Sequence, residues 1–233
     1  MRRDAGIADF LAARILMVKD QLERRGIRDP RVLDAIREIP REVFVRPEDC
    51  GRAYDDEALP IEFGQTISQP YIVALTCQSL AIQPDDCVLE IGTGSGYQSA
   101  ILSKLARRVV SIERVPELAD SARSRLRDVG AANVDVVLSD GTLGLPAEGP
   151  FDAIAVAAAA PEMPSPLIHL LAAAGRIVIP VGRRDVQELL LCRRNPDGNL
   201  GRQKLCDCRF VPLIGRHGFS EDMPDAADNA PCN

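Results

Sequence analysis

Two carboxylates and three glycines form the densest concentration of chemistry-bearing residues in this chain. They lie in Val88-Leu89-Glu90-Ile91-Gly92-Thr93-Gly94-Ser95-Gly96-Tyr97 and in Glu113, which closes the next apolar run. A glycine turn at a strand end lets a ligand approach the backbone closely, and a carboxylate ending the following strand can accept both hydroxyls of a ribose. The spacing is G-x-G-x-G, and Tyr97 stands where a dinucleotide fingerprint wants its third glycine. The charge of Glu90 would repel a phosphate, and the absence of Gly-Lys-Ser/Thr excludes a P-loop. A cationic nucleoside ligand without phosphates suits these residues. S-adenosylmethionine is one, and its chemistry is methyl transfer. The alternative is a tight strand-to-helix turn that binds nothing.

Other reactive side chains are sparse. The chain has two histidines: His169 falls in a helical pattern and His217 in a loose C-terminal region, and both read as structural or surface residues. Seven cysteines (50, 77, 87, 192, 206, 208 and 232) are odd in number and scattered, unlike a disulfide framework. Cys206-x-Cys208 looks like half of a metal site, but on a strand the two thiols share one face, and no second pair or histidine cluster completes it. Free, half-buried thiols are the expectation.

The elements that must position the acid-glycine-acid group follow a regular alternation. Strands are expected at 88–91, 109–113, 134–138, 151–156 and 176–180, and helices at 98–106, 116–129 and 166–173, with Gly130 and Gly175 as helix C-caps. Such alternation implies a doubly wound, mostly parallel α/β sheet of Rossmann-like type with helices on both faces. Residues 188–194 and 204–213 flank Pro196-Asp197-Gly198-Asn199, which signals an antiparallel C-terminal hairpin. Upstream, Ile7, Phe10, Leu11, Ile15, Val18 and Leu22 recur at helical spacing and predict an amphipathic helix ending at Gly26. Asp29-Pro30 predicts the start of a second helix running to Glu38, and Pro70 the start of a third from Tyr71 to Leu80. The turn-rich stretch 46–61 is expected at the surface. Three divisions result: an N-terminal helical extension with an active loop (1–77), the core (78–219) and an acidic, disordered tail (220–233).

Composition sets the outer bounds. With 233 residues, 46% hydrophobic and 27% charged, the chain fits one α/β domain with an extension. A net charge of −6 argues against a nucleic-acid surface, and there is no Asn-Pro-Pro-Tyr motif for a flipped base. No stretch is apolar for the roughly 18 residues of a membrane span. Asp4, Asp9 and Arg14 interrupt the first apolar run, so a signal peptide is not expected and a cytosolic location is.

Three segments together resemble one family. Met17-Val18-Lys19-Asp20-Gln21-Leu22 with Arg25-Gly26-Ile27 continues to Ile39-Pro40-Arg41-Glu42-Val43-Phe44-Val45. Leu59-Pro60-Ile61 precedes Gly64-Gln65-Thr66-Ile67-Ser68-Gln69-Pro70-Tyr71. The glycine turn is joined by Glu113-Arg114, Asp140-Gly141, Phe151-Asp152-Ala153-Ile154, Pro180-Val181-Gly182 and Phe210-Val211-Pro212-Leu213. From about residue 14 to 215 the chain resembles the protein-L-isoaspartate O-methyltransferases, and residues 65–68 are the narrowing motif. The resemblance implies a monomeric, metal-independent enzyme that methylates the α-carboxylate of isoaspartyl residues in damaged proteins, leading through a succinimide back to aspartate. It implies Ser68 as the active-site serine and Thr66 and Ile67 as the loop closing over the cofactor. It also places Gly92, Gly94 and Gly96 in the cofactor turn with Glu90, Glu113 at the ribose with Arg114 beside it, Asp140 and Gly141 at the adenine, and residues 211–213 along the substrate pocket. Glu62-Phe63 before Gly64, Ala157, the two cysteines at 206 and 208, and the acidic tail depart from the family pattern. The first of these leaves room for an enzyme that methylates a defined aspartate in one partner peptide. A cofactor-binding module without catalysis is the non-enzymatic alternative, and the intact Ser68 speaks against it.

Overall fold

A computed structural model describes residues 2–195 and 198–221. In chain order, α1 is Arg2–Met17, α2 Pro30–Glu38, β1 Leu59–Pro60, β2 Thr66–Ile67, α3 Pro70–Leu80, β3 Cys87–Ile91 and α4 Tyr97–Leu105. Then come β4 Arg108–Glu113, α5 Pro116–Asp128, β5 Val134–Leu138, β6 Phe151–Val156, α6 Ser165–His169, β7 Leu171–Gly182, β8 Gln187–Arg194 and β9 Leu200–Cys208.

Seven strands form one sheet in the order β5-β4-β3-β6-β7-β8-β9. Pairs from β5 through β7 are parallel, and β7, β8 and β9 pair antiparallel. The chain winds outward from β3 through β4 to β5, then returns to the other side of β3 with β6. That reversal opens a crevice at the carboxyl end of β3, where ligands of open α/β sheets bind.

Strands buried on both faces read as continuous apolar runs because alternate residues enter different cores. Val88 and Val109 pack into a core shared with α2, α3 and α4, while Leu89, Ile91, Val110 and Ile112 point to the opposite core. The cover is unequal. The second face carries α6, through Leu167 in that core, with 3-10 turns at Gly141–Leu143 and Pro146–Glu148 in place of longer helices.

Several expectations need correcting. The helix expected over 166–173 stops at His169, and the chain turns directly into β7. Gly175 is not a helix cap: the β6–β7 register jumps from Phe151↔Leu171 to Ala153↔Arg176, so the extra residues bulge out of β7. A Cβ on Gly175 would lie 2.9 Å from the Ala172 carbonyl oxygen, which is the close approach a bulge demands. Gly130, by contrast, follows α5 with φ of +73°, as a C-cap requires.

The N-terminal helical run does end at Gly26, at φ +94°, but only after a π-helical turn at Val18–Leu22 and a 3-10 turn at Glu23–Arg25. Its buried stripe differs from the apolar pattern: Leu11 and Ile15 are about half exposed, whereas Arg14 is buried. The Arg14 guanidinium donates to the Arg37 and Glu38 carbonyls at 3.1 and 3.0 Å, the orphaned acceptors at the end of α2, and pairs with Glu42 at 3.2 Å. Asp29 caps α2 through the Arg31 N–H at 2.9 Å. The stretch 46–61 is not a surface loop throughout, since Asp49, Ala53, Tyr54, Leu59 and Ile61 are buried. The boundary expected at 77/78 falls inside α3, and residues on both sides of it share one core. The hairpin's second strand ends at Cys208 rather than 213, and its turn residues 196 and 197 lie outside the described residues. So does the expected tail beyond Glu221.

Candidate active site

The floor of the crevice is the turn after β3. The Gly92 N–H donates to the Ile112 carbonyl at 2.8 Å, and the Gly96 N–H to Thr93 at 2.9 Å. Gly92, Gly94 and Gly96 all have positive φ (90°, 53° and 91°), conformations that cost an L-residue about 1–2 kcal/mol. Gly92 and Gly94 line the cavity. Gly96 does not: a Cβ there would meet Ala122 and Leu126 of α5 at 3.4 and 3.5 Å, so its bareness serves helix packing.

Glu113 lines the cavity with its carboxylate already oriented by backbone donors: Gly94 N–H at 2.9 Å on one oxygen, Arg114 and Val115 N–H at 2.8 and 3.0 Å on the other. Arg114 also lines it and pairs with Glu221.

Glu90 is placed differently from the sequence expectation. It is fully buried beneath the turn and does not line the cavity. On the β3 face that carries Val88, it accepts from Ser111 Oγ at 2.6 Å, from Gln98 Nε2 at 3.1 Å and from Ser99 Oγ. Ser111 in turn shares a hydrogen bond with Thr93 Oγ1 at 2.6 Å, so the carboxylate supports the turn from below. Burial pushes its pKa up to about 7, against those three hydrogen bonds, with the charge of Glu113 adding to the rise.

Facing the turn, β1 and β2 pair Leu59 with Ile67 and Pro60 with Thr66, forming a short hairpin whose tip is Glu62–Gly64. Thr66, Ile67 and Ser68 line the crevice from this side. Thr66 and Ser68 also line a second cavity, on the far side of the strip, with Ile72, Arg209 and Phe210. Ser68 does not cap α3: the N-cap is Gln69, without a side-chain bond, and the Ser68 hydroxyl has no hydrogen-bond partner among the described residues. Val211, Pro212 and Leu213 line the inner cavity, and Phe210 lines the outer one. The Ala159 N–H donates to Val211 O at 2.8 Å, and the Leu213 N–H to Ala159 O at 2.7 Å. The small side chains at 157–160 thus admit a backbone segment at close range. The sequence marked Ala157 only as a departure from the family pattern; the structure shows that Ala157 and Ala158 line the site.

Asp140 does not line the inner cavity, though Gly141 does. Its carboxylate accepts from Thr142 N–H and Oγ1 at 2.8 and 2.7 Å and from Arg216 N–H at 2.9 Å. Partial burial opposes the charge, but the bonds from Arg216 and Thr142 hold its pKa below the ordinary aspartate value. It faces an adjoining hollow that shares Arg114 and Ile214 with the crevice. Asp152 has a structural role, accepting from the Cys87 N–H at 2.8 Å. Among the described residues no cluster of His, Cys, Asp or Glu could hold a metal ion.

The lining fits a phosphate-free nucleoside ligand. Its charged members are Glu113 and Arg114, and Arg114 has its own counter-ion in Glu221. A Cβ on Gly94 would meet Ile61 Cδ1 at an ordinary 3.7 Å, so it is the positive φ rather than crowding that calls for glycine here.

Comparisons with known proteins agree with this geometry. The protein-L-isoaspartate(D-aspartate) O-methyltransferase family pattern matches residues 14–218. A protein-L-isoaspartate O-methyltransferase of Roseiflexus castenholzii is 53% identical over 214 residues, 92% of this chain and 97% of that one. One of Koribacter versatilis is 50% identical over 220 residues, 94% and 99% of the two chains. A Plasmodium falciparum structure described as a protein-L-isoaspartate O-methyltransferase in complex with S-adenosyl-L-homocysteine superposes with a TM-score of 0.75 at 27% identity, covering 85% of this chain and 96% of that one. On the strength of these matches, the chain belongs to the protein-L-isoaspartate(D-aspartate) O-methyltransferase family.

Proposed function

We propose that this protein is a repair methyltransferase that transfers a methyl group from S-adenosylmethionine to the α-carboxylate of L-isoaspartyl residues in proteins and peptides. The observation that carries this reading is the strip 66–68: its serine hydroxyl is uncommitted and stands at a wall shared by two cavities. Gly92, Gly94, Glu113, Arg114 and Gly141 would hold the cofactor on the inner side, with Thr66 and Ile67 across from them and Asp140 reached through the adjoining hollow. When bound, the cofactor supplies an electrophilic methyl group on a sulfonium.

A carboxylate acceptor is already ionised at neutral pH, so no side chain need remove a proton. That agrees with the crevice lining, in which no histidine stands among the described residues. The work left to the protein is placement, which can be worth several kcal/mol. Ser68 Oγ–H would donate to one acceptor oxygen and leave the other aligned for attack. A nucleophilic serine would need a partnered base, and Ser68 has none among the described residues. We extend the reading to a monomer acting in the cytoplasm. Among the described residues no helix is long and apolar enough to cross a membrane.

Radiolabelled methyl transfer to a matched isoaspartyl and aspartyl peptide pair tests the reading. Base-labile label on the isoaspartyl peptide alone is expected. Preference for the aspartyl isomer would instead indicate a peptide-maturation enzyme, and cofactor binding without transfer to either would indicate a binding protein.

A further inference from the structure

The outer cavity, on the far side of the 66–68 strip from the glycine turn, has a charge arrangement that this reaction alone does not require. Its wall carries three acids, Asp56, Glu57 and Asp207, and one cation, Arg209. Each acid has a different cationic partner: Asp56 pairs with Arg25 at 2.8 Å, Glu57 with Arg52 at 2.6 Å and Asp207 with Lys204 at 2.8 Å, Arg52 also reaching Asp49 and Lys204 also Glu188. Arg209 itself is exposed, and it has no ion-pair or hydrogen-bond partner among the described residues. A guanidinium with five donors therefore stands open in the same cavity as the open hydroxyl of Ser68.

The backbone on either side of Arg209 is fixed. The Phe210 N–H donates to Oε1 of buried Gln187 at 2.8 Å, and Gln187 Nε2 donates to the Arg184 carbonyl at 3.0 Å. Cys208 Sγ lies 3.5 Å from the Gln187 carbonyl oxygen. The rest of the wall includes Ala58, Ile72 and Phe210, an apolar surface against which an ion pair is less screened than in open water. The two half-buried cysteines thus serve β9, the strand that delivers Arg209, through packing.

Resting on the function proposed above, we propose that Arg209 is the specificity-determining residue that draws the anionic carboxylate of the acceptor peptide to Ser68. Guanidinium recognises carboxylate through two parallel N–H donors, and no competing acid holds it back. In the transfer, a carboxylate oxygen forms a bond to the methyl carbon, the carbon–sulfur bond breaks and its electron pair stays on sulfur; no proton moves. The acceptor loses its charge as the ester forms. An arginine contact is therefore strongest in the ground state and weakest in the product, so it favours capture of the acid and release of the ester without speeding the chemical step. Arg209 acts on KM, whereas Ser68 acts on kcat.

The test uses the full chain with an isoaspartyl peptide acetylated and amidated at its ends, with neutral flanks and one tryptophan. Its α-carboxylate is then its sole negative charge, and because the protein has no tryptophan the peptide's fluorescence reports binding directly. In the presence of S-adenosylhomocysteine, Arg209→Gln is expected to weaken peptide binding about tenfold, a charge-assisted contact's worth. KM should rise in parallel, with kcat and S-adenosylhomocysteine affinity within about twofold of wild type. Arg209→Lys should recover part of the loss, and the pre-formed methyl ester should bind wild type and Arg209→Gln equally. Peptide binding by Arg209→Gln within twofold of wild type overturns the proposal, as does an equal loss on the methyl ester. A loss seen only with acidic flanking residues also overturns it, since Arg209 would then read a neighbour. If wild type binds the peptide but transfers no methyl group to it, the function proposed above fails, while the binding comparison still decides Arg209.

Discussion

On the sheet side of the crevice the polar groups are already committed. Gly92 is bonded to Ile112, Gly94 to Glu113, and Glu113 also to the first two N–H groups before α5. On the opposite side, β1 and β2 are only two residues long, the wall is Thr66 and Ile67 of β2 with Ser68, and the Ser68 hydroxyl bonds nothing among the described residues. A cofactor is the same in every turnover and rewards a wall preset by backbone. Acceptor sites differ in sequence, and a wall with open donors can take them one after another. The difference between the walls is a division between fixed recognition and adaptable placement.

The largest effect should come from spoiling the preset wall. Gly92→Val puts a β-branched residue at φ +90°, where even an unbranched side chain costs about 1–2 kcal/mol, and points its methyls into the crevice. Titration calorimetry should show S-adenosylhomocysteine affinity falling by about 100-fold or more in a variant whose circular dichroism remains native. Wild-type affinity would mean the turn's conformation does not hold the ligand.

Next comes the buried acid under that wall. Glu90 has its pKa raised from 4.5 to about 7 in the folded protein. The native state then keeps a proton that the unfolded chain has released, so this contribution to stability is full below pH 4.5 and lost as pH rises through about 7. The ceiling is about 3 kcal/mol from the size of the shift. Glu113 and, from α3, Cys77 are the titratable groups whose charges reach it. Urea unfolding between pH 5 and 8 should lose stability in wild type and flatten in Glu90→Gln. Parallel profiles would show that Glu90 stays ionised throughout.

Crossing the two walls gives intermediate effects of opposite kind. Glu113→Ala removes an acceptor from three backbone donors and the proposed partner of the ribose, and should weaken S-adenosylhomocysteine by about 30-fold, in line with losing a charged hydrogen bond. Ser68→Ala should lower kcat by about tenfold and leave that affinity within twofold. Equal loss of affinity in both variants would erase the division between walls.

The sheet wall was legible because its signals are local: glycines where φ is positive, an acid at a strand end, proline and aspartate at helix starts. Strands β3 to β6 and β8 were found to within a residue or two; β7 was not, because its bulge depends on pairing with β6 rather than on its own alanines, and β9 lies four to five residues earlier than expected, in register with β8. Glu90 was misplaced because spacing says that an acid precedes the turn but not which sheet face it takes. Facing the same way as Val88 sends it under α4 instead of into the crevice. Arg14 was overlooked for a related reason: a charged residue enters a core only when carbonyls elsewhere in the chain need donors, here those ending α2. The opposite wall was legible only through the family resemblance of residues 65–68. Ala157, Ala158 and Arg209 come to the site from three-dimensional adjacency alone.

The smallest effect is expected at the tip of the adaptable wall. Phe63 is 54% exposed and sits at φ 57°, ψ 32°, a left-handed conformation in which glycine would carry less strain. Its carbonyl accepts from Gln65 Nε2 at 3.1 Å, and the ring is left in solvent beside the loop that carries Ser68. Phe63→Gly relieves the strain but loosens the unfolded chain, so the net change in stability should stay within about 1 kcal/mol. If the tip only closes the hairpin, KM for an isoaspartyl peptide should also change less than twofold. A rise in KM of fivefold or more, with kcat unchanged, would make the ring part of the acceptor surface. The adaptable wall would then extend from Ser68 to the hairpin tip, and the strain at Phe63 would be a consequence of holding an aromatic ring toward the peptide.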